Sequence, residues 1–176
     1  MNKIELRKAE VSDEYRKKWN DHGMTYYHLY VNGVKKSDNL YRKGGFFNDS
    51  NLNNDYFILL KQVEDYYNDT ITTDLKDKPH LAQHSTIINN NGDERYVADH
   101  FDTIYHLGGV VFSIKNIGGE GKIMNVLTGE IYSKGYYDIT MSSEEYVFVD
   151  NRFTKDKDKK GVLKINKSNG SYELFK

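Results

Sequence analysis

The chain has 176 residues, with 25 Lys and Arg against 26 Asp and Glu, and a formal net charge of −1. Its length suits one domain, or one domain with a small additional region. The balanced charge argues against a strongly basic nucleic-acid-binding protein and against an acidic mimic of DNA. The sequence has no cysteine, which removes disulfides, zinc thiolates and thiol nucleophiles and fits a reducing compartment.

The N-terminal segment is charged and has no apolar core of signal-peptide length. No apolar run approaches the roughly 20 residues that span a bilayer. We therefore expect a cytoplasmic protein without a membrane segment. The 15 Tyr residues and the single Pro are typical of an AT-rich genome, and they also suit a tyrosine-rich contact surface, because Tyr combines a large ring with a polar tip.

The N-terminal region, residues 1–79, is predicted to begin with a helix. Ser12 or Asp13 can cap this helix, and Tyr15 and Trp19 lie four residues apart, which places both rings on one face.

A hairpin is predicted next, because side chains alternate along Tyr26–Val31 and Asn32–Gly33 is a strong hairpin signal. A second helix is expected over Asp55–Asn68, where apolar residues recur at helical spacing. A strand at Tyr56–Leu60 is the alternative. The stretch around Pro79 then indicates a linker.

Residues 80–176 are predicted to form an antiparallel β-meander or repeat, because short strand-like runs alternate with turn residues. The fold class is therefore α+β and mostly β, with a smaller helix-containing N-terminal region, or with both regions in one continuous domain. The runs are Thr86–Ile88, Arg95–Ala98, Thr103–Tyr105, Val110–Ile114, Lys122–Val126, Ile131–Ser133, Tyr137–Thr140, Tyr146–Val149, Val162–Ile165 and Tyr172–Phe175.

Two stretches of this β region share an order of features: a Gly turn, an aromatic–Asp pair and an apolar strand. The two Gly turns lie 37 positions apart. The matching pairs are Gly92–Asp93 with Gly129–Glu130, Phe101–Asp102 with Tyr137–Asp138, and Val111–Phe112 with Val147–Phe148.

This order resembles the bacterial WG-type β-repeat over about residues 86–175. The resemblance implies a recognition scaffold rather than an enzyme, because stacked repeats bury their apolar faces against one another and present loops on one side. The family's Trp–Gly pair is absent, and Glu120–Gly121 and Lys160–Gly161 stand in its place. The residues that carry the resemblance are Gly121, Thr128–Gly129, Tyr137–Asp138, Val147–Phe148, Gly161, Asn169 and Gly170.

A protein-binding surface is the leading functional prediction. Tyr and Arg are typical anchors of protein interfaces. The expected partner is a bacterial protein such as a defence nuclease complex, which the chain would block sterically as a phage or mobile-element inhibitor of the anti-CRISPR kind. A toxin-immunity protein belongs to the same class, and a homodimer through edge strands is also open. The candidate contact residues are Tyr26, Tyr27, Tyr30, Arg42, Tyr136 and Tyr137.

A nucleic-acid-binding module is the alternative function. It would use a basic segment interleaved with tyrosines, which combines phosphate contacts with stacking. The residues are Arg16, Lys17, Lys18, Lys35, Lys36 and Lys43.

A metal-dependent hydrolase is the third alternative, with ligands from His80, His84, His100 or His106. His80 and His84 are four residues apart, but no Glu follows His80 as a zincin motif requires. No nucleophile elbow, phosphate loop or dinucleotide fingerprint is present. The sequence therefore indicates no cofactor, no bound metal and no catalytic residue.

Overall fold

The structure is a computed structural model that describes residues 2–21, 23–45, 47–66 and 79–176. The chain forms two compact units, Met1–His100 and Phe101–Lys176. Antiparallel strands dominate both units, which confirms the mostly β class. Within the described residues, no helix reaches the length and apolarity needed to cross a membrane.

The first unit is built on a seven-stranded antiparallel sheet in the order β1-β2-β4-β5-β6-β7, with β3 paired to β2. The strands are β1 (Ile4–Lys8), β2 (Tyr27–Val31), β3 (Val34–Lys35), β4 (Tyr41–Arg42), β5 (Tyr56–Tyr66), β6 (Pro79–Asn89) and β7 (Glu94–Val97).

Two short-range predictions in this unit are confirmed. Helix α1 (Asp13–Lys18) follows Ser12, whose hydroxyl accepts the backbone N–H of Tyr15 at 3.1 Å. The hairpin between β2 and β3 turns at Asn32 and Gly33, whose φ angles are 50° and 81°. Two consecutive positive φ angles are the geometry of a type I′ turn, and its twist matches that of paired strands.

The predicted helix over Asp55–Asn68 is wrong, and the alternative of a strand is correct. Strand β5 pairs with β6 along all eleven of its residues. Phe57 and Leu59 are 2% and 0% exposed, while the residues between them point to the other face of the sheet. A continuous apolar run fits a strand buried on both faces as well as it fits a helix, and the pairing with the distant β6 decides between them.

The predicted linker around Pro79 is also a strand where the structure describes it, because β6 begins at Pro79. The end of the predicted helix and residues 69–78 of the predicted linker lie outside the described residues. The regional boundary that the sequence predicts at residues 79/80 falls at the start of β6, which pairs with β5. The two compact units divide after His100.

The core of the first unit closes around Tyr41, which packs with Leu29, Phe57, Leu59 and other apolar residues. The Tyr41 hydroxyl donates to Glu94 Oε1 at 2.6 Å. Burial, together with this bond, raises the pKa of Tyr41 to about 12.

The second unit contains two four-stranded antiparallel sheets, in the orders β11-β10-β9-β8 and β12-β13-β14-β15. We call them the second and the third sheet. Each of the ten predicted runs overlaps a strand of β6 to β15. The strands of this unit are β8 (Thr103–Gly108), β9 (Val111–Lys115), β10 (Gly121–Asn125), β11 (Ile131–Gly135), β12 (Asp138–Ser142), β13 (Tyr146–Asp150), β14 (Val162–Asn166) and β15 (Tyr172–Phe175).

Three hairpins, β6–β7, β10–β11 and β14–β15, each contain an Asn whose side chain accepts backbone N–H groups of the turn. The side-chain oxygen of Asn125 accepts the backbone N–H groups of Leu127 at 2.9 Å and Thr128 at 3.2 Å. Asn166 and Asn89 each accept two N–H groups of their own turns. These side chains satisfy turn donors that the strand ladder leaves unpaired. We call them the Asn-anchored hairpins.

A glycine with a left-handed backbone completes each Asn-anchored hairpin. The φ angles are 77° at Gly92, 78° at Gly129 and 75° at Gly170. Each glycine N–H donates to the carbonyl of the anchoring Asn, at 2.8 to 2.9 Å. Gly92 follows its Asn by three residues, which is the arrangement of a G1 bulge, whereas Gly129 and Gly170 each follow theirs by four. The turns at Gly92 and Gly129, which the sequence pattern pairs, therefore differ by one residue in length.

Substitution of Gly170 should separate backbone strain from steric conflict. A Cβ at Gly170 would lie 2.4 Å from the Tyr132 hydroxyl, whereas a Cβ at Gly129 would meet nothing within 4 Å. Gly129→Ala should therefore cost only the strain of a positive φ, about 1–2 kcal/mol. Gly170→Ala should cost about 1–3 kcal/mol more, because it also overpacks a buried site. Urea denaturation measures both, and equal costs would contradict the close packing.

Candidate protein-binding surface

Two of the six predicted contact residues lie in the interior. Tyr26 is 2% and Tyr137 is 4% exposed. The Tyr137 hydroxyl shares a 2.7 Å hydrogen bond with Ser113 Oγ and donates to the Lys122 carbonyl at 3.2 Å. Burial is the main cause that raises the pKa of each of these tyrosines to about 12. Neither ring is offered to a partner, so both predictions are corrected.

Of the other predicted contact residues, two carry rings that cations already cover. Arg7 lies with its Cζ 4.2 Å from the ring centre of Tyr30, and Lys43 lies with its Nζ 5.0 Å from that of Tyr27. Both tyrosines are half-buried, as is Arg42, while Tyr136 is 53% exposed. Four of the six residues belong to the first compact unit, and Tyr136 and Tyr137 belong to the second.

The predicted basic segment is largely neutralised by its own acidic neighbours. Five of its six cations make ion pairs, and each acidic partner lies in the same unit. Such local pairing weakens the positive field that would attract a phosphate backbone. The pairs are Arg16–Asp21 at 2.8 Å, Lys18–Glu64 at 3.1 Å, Lys35–Asp38 at 2.6 Å, Lys36–Asp93 at 3.6 Å and Lys43–Asp49 at 2.6 Å.

The structure brings three of the candidate histidines close together. His80 and His84 point to one face of β6, where four residues span about 13 Å, and the His100 ring lies between them at 5.5 and 5.8 Å. Within the part of the chain that the structure describes, no group of three or more His, Cys, Asp or Glu side chains could hold a metal.

The fourth candidate, His106, lies in the second unit and makes a different contact. Its ring stacks on Phe112 with ring centres 4.4 Å apart, and its Nε2 is 2.9 Å from the Gly109 carbonyl. The residue as a whole is exposed, but Phe112 covers one face of the ring, and this desolvation lowers the pKa of His106. These contacts are those of a structural histidine.

The third sheet of the second unit carries an apolar surface at positions where the sequence predicts no contact residue. Val147, Val149, Leu163 and Ile165 are each 0% exposed. Successive side chains of a strand alternate between faces, so the residues between them point outward. We call the opposite surface the outer face of the third sheet, formed by Met141, Tyr146, Phe148, Val162, Lys164 and Phe175.

The strand register aligns this outer face into rows. Met141 lies opposite Phe148, Phe148 opposite Lys164, and Lys164 opposite Glu173, so one row crosses all four strands. The Lys164 ammonium lies 4.3 Å from the ring centre of Tyr146. Its stem therefore covers apolar surface while its charge remains at the ring.

A second row supplies more apolar area and a charged rim. Val162 lies opposite both Asp150 and Phe175, which is 51% exposed. Arg152 donates through Nε to Asp150 Oδ1 and Oδ2, at 2.9 Å each. These hydrogen bonds from Arg152 lower the pKa of Asp150, so the rim keeps a fixed ion pair beside the apolar centre.

The alternation in the sequence could have revealed this face. In Tyr146–Asp150 and Val162–Asn166 the small aliphatic residues fill one face, so Tyr146, Phe148 and Lys164 must occupy the other. An apolar centre with a polar rim is the anatomy of a protein interface.

Comparisons with known proteins give this chain no relatives: no family model matches it, and no curated protein or solved structure does.

An alkaline titration should distinguish buried from accessible tyrosines. Because the pKa of Tyr137 is raised from 10.0 to about 12, the native state keeps its proton where the unfolded chain has lost it. The stability that burial of the neutral phenol contributes is present below pH 10 and is lost as the pH rises toward 12. In the Tyr137→Phe variant, the part of the phenolate absorbance that develops near pH 12 should be smaller than in the unsubstituted protein. If that part is unchanged, Tyr137 is not one of the buried tyrosines with a raised pKa.

Proposed function

We propose that this chain is a non-enzymatic, cytoplasmic protein-binding module that uses the outer face of the third sheet. The observation that carries the proposal is the row of Met141, Phe148, Lys164 and Glu173 across four strands. Its two apolar members, Met141 and Phe148, lie on neighbouring strands and are exposed and half-buried, respectively. A flat sheet face presents rigid aromatic anchors, and ordering such anchors on binding costs little entropy.

Binding would be driven by burial of the apolar centre, with the rim setting orientation. A standard interface buries about 800 Å² per partner, and most of its energy comes from a few central anchors. Phe148 is central in the outer face, between Met141 and Lys164. The Asp150–Arg152 pair at the rim would favour partners of complementary charge pattern.

The partner class that we propose is a bacterial protein, in particular a nuclease complex of a defence system, which the module would block sterically. Residue usage of the AT-rich kind favours a phage or mobile-element inhibitor of the anti-CRISPR type. The resemblance to the WG-type β-repeat also favours a scaffold that binds a partner. A protein that neutralises a toxin would use the same kind of surface.

A protein partner is favoured over nucleic acid by the charge arrangement. The basic segment of the first unit carries its own counter-charges, at Asp21, Asp38 and Asp49 among others. A nucleic-acid surface needs cations that are free to replace condensed counterions.

Substitutions on the outer face should abolish partner capture without unfolding the protein. Met141 is 56% exposed on an edge strand. The carboxylate introduced by Met141→Glu would therefore stay in water in the free protein and would be buried only in the complex. We expect partner retention from nuclease-treated bacterial lysate to fall about tenfold or more, equivalent to at least 1.4 kcal/mol. Phe148→Glu should be at least as severe.

The matched control is Ile117→Glu, which introduces the same charge at a side chain that is 91% exposed in the same unit but lies off the outer face. Equal losses in the Ile117 and Met141 variants would refute the assignment of the face. Retention of nucleic acid alone, removed by high salt, would move the function to the basic segment.

A further inference from the structure

We propose that strand β15 pairs antiparallel with β15 of a second copy of this chain, which joins two third sheets into one eight-stranded sheet. The inference does not rest on the proposed function, because it concerns the purified protein alone. It starts from the free backbone groups along the edge of the third sheet.

Most other edge strands of the described residues carry a feature that discourages pairing. β12 and β8 each contain a register irregularity, between Ile139 and Met141 and between His106 and Gly108. β11 is covered, because Thr154 bridges to Gly135. Bulges and covering segments are known protections of sheet edges.

The two outer edges of the first sheet are protected in other ways. On β1, Glu5 makes ion pairs with Lys3 and Arg7, and charges discourage edge pairing. The β6–β7 pair contains a register irregularity between Ile87 and Ile88.

Strand β15 has none of these protections. It keeps regular register with β14 over all four of its residues, and among the residues that the structure describes it pairs with no further strand. Glu173 is its single charge. Of its three apolar side chains, Tyr172 and Phe175 are 38% and 51% exposed, and Leu174 is half-buried. It is therefore the edge best suited to accept another strand.

The register identifies which backbone groups are free. Asn166 donates its N–H to the Ser171 carbonyl at 2.8 Å, so this pair belongs to the hydrogen-bonded set. Hydrogen-bonded and non-hydrogen-bonded pairs alternate in an antiparallel ladder. Glu173 and Phe175 consequently direct their backbone groups to β14, while Tyr172 and Leu174 direct theirs to the free edge.

Three twofold registers bring these outward groups together. Centring on Glu173 places two carboxylates directly opposite, which destabilises a sheet. Centring on Tyr172 draws Gly170, a residue of the hairpin turn, into the ladder. Centring on Leu174 avoids both problems, because Leu174 faces Leu174 of the second copy and Tyr172 faces its Lys176.

The Leu174-centred register also covers exposed apolar surface. Phe175 lies on the outer face and would contact the aliphatic stem of Glu173 in the second copy. The paired segment is four to five residues long, and such an edge buries less than the roughly 800 Å² per partner of a standard interface. We therefore expect a reversible dimer whose population rises with protein concentration.

Single cysteines test the contact and its register, because the chain has no cysteine of its own. In the Leu174-centred dimer the two Cα atoms of residue 174 lie about 5.5 Å apart, within the range that a disulfide spans. Under mild oxidation, Leu174→Cys should form covalent dimers on the order of tenfold or more faster than Met141→Cys, since pairing raises the local thiol concentration. Met141 is the control on the opposite edge.

The outcomes are clear-cut. If Glu173→Cys cross-links faster than Leu174→Cys, the register is wrong. If neither variant cross-links faster than Met141→Cys, the pairing itself is wrong. Sedimentation of the unsubstituted protein must show a dimer that grows with concentration, and a monomer at every concentration overturns the proposal.

A charge-swap pair distinguishes a lost contact from a misfolded strand. Leu174→Glu and Leu174→Lys should each be monomeric, because like charges would meet at the twofold axis. An equimolar mixture of the two should regain the dimer. Failure of the mixture to dimerise, with circular dichroism spectra unchanged in both variants, would contradict the symmetric contact.

Discussion

The structure depends on tight turns whose backbone N–H groups find hydrogen-bond acceptors within the turn. The chain has no cysteine, so no disulfide holds these turns closed. Antiparallel strands must reverse direction every few residues, and each reversal leaves N–H groups unpaired. In the Asn-anchored hairpins, the side chains of Asn89, Asn125 and Asn166 accept those groups. Asn125 is also 2% exposed, so one residue type serves both the turn and the interior. The abundance of Asn and Gly thus has a structural use, whatever its genomic origin.

The outer face of the third sheet follows from the same geometry. The Asn166 hairpin fixes the register of β14 and β15, and that register sets Lys164 opposite Glu173 and Val162 opposite Phe175. The carbonyl of Gly170 in this hairpin accepts the Tyr132 hydroxyl at 2.6 Å, which ties the turn to β11. A rigid turn therefore holds the apolar row that a partner would meet, and it also holds β15 in position as a regular edge.

Local patterns predicted the fold well, and long-range pairing explains where they failed. The Ser12 cap, the Asn32–Gly33 turn and the ten strand-like runs follow from chemistry within a few residues. The identity of β5 depends on β6, which no local pattern contains. The candidate site was harder to predict than the fold. The sequence does not distinguish an exposed tyrosine from one that is buried against Ser113, as Tyr137 is. Only the alternation along β13 and β14 carried a readable signal for the outer face.

The contact between Asn2 and the β6–β7 turn has a consequence for how the chain is made. The Asn2 amide donates to the Asn90 carbonyl at 3.0 Å and to Asn91 Oδ1 at 2.8 Å, across 88 and 89 residues of sequence. Contacts of such high separation slow folding, because loop closure must precede them. During synthesis, β1 can form its hairpin with β2 early, but this link must wait until residue 91 has left the ribosome. Until then the edge strand β1 lacks this link, and incompletely folded chains with unpaired strand edges are prone to misassembly.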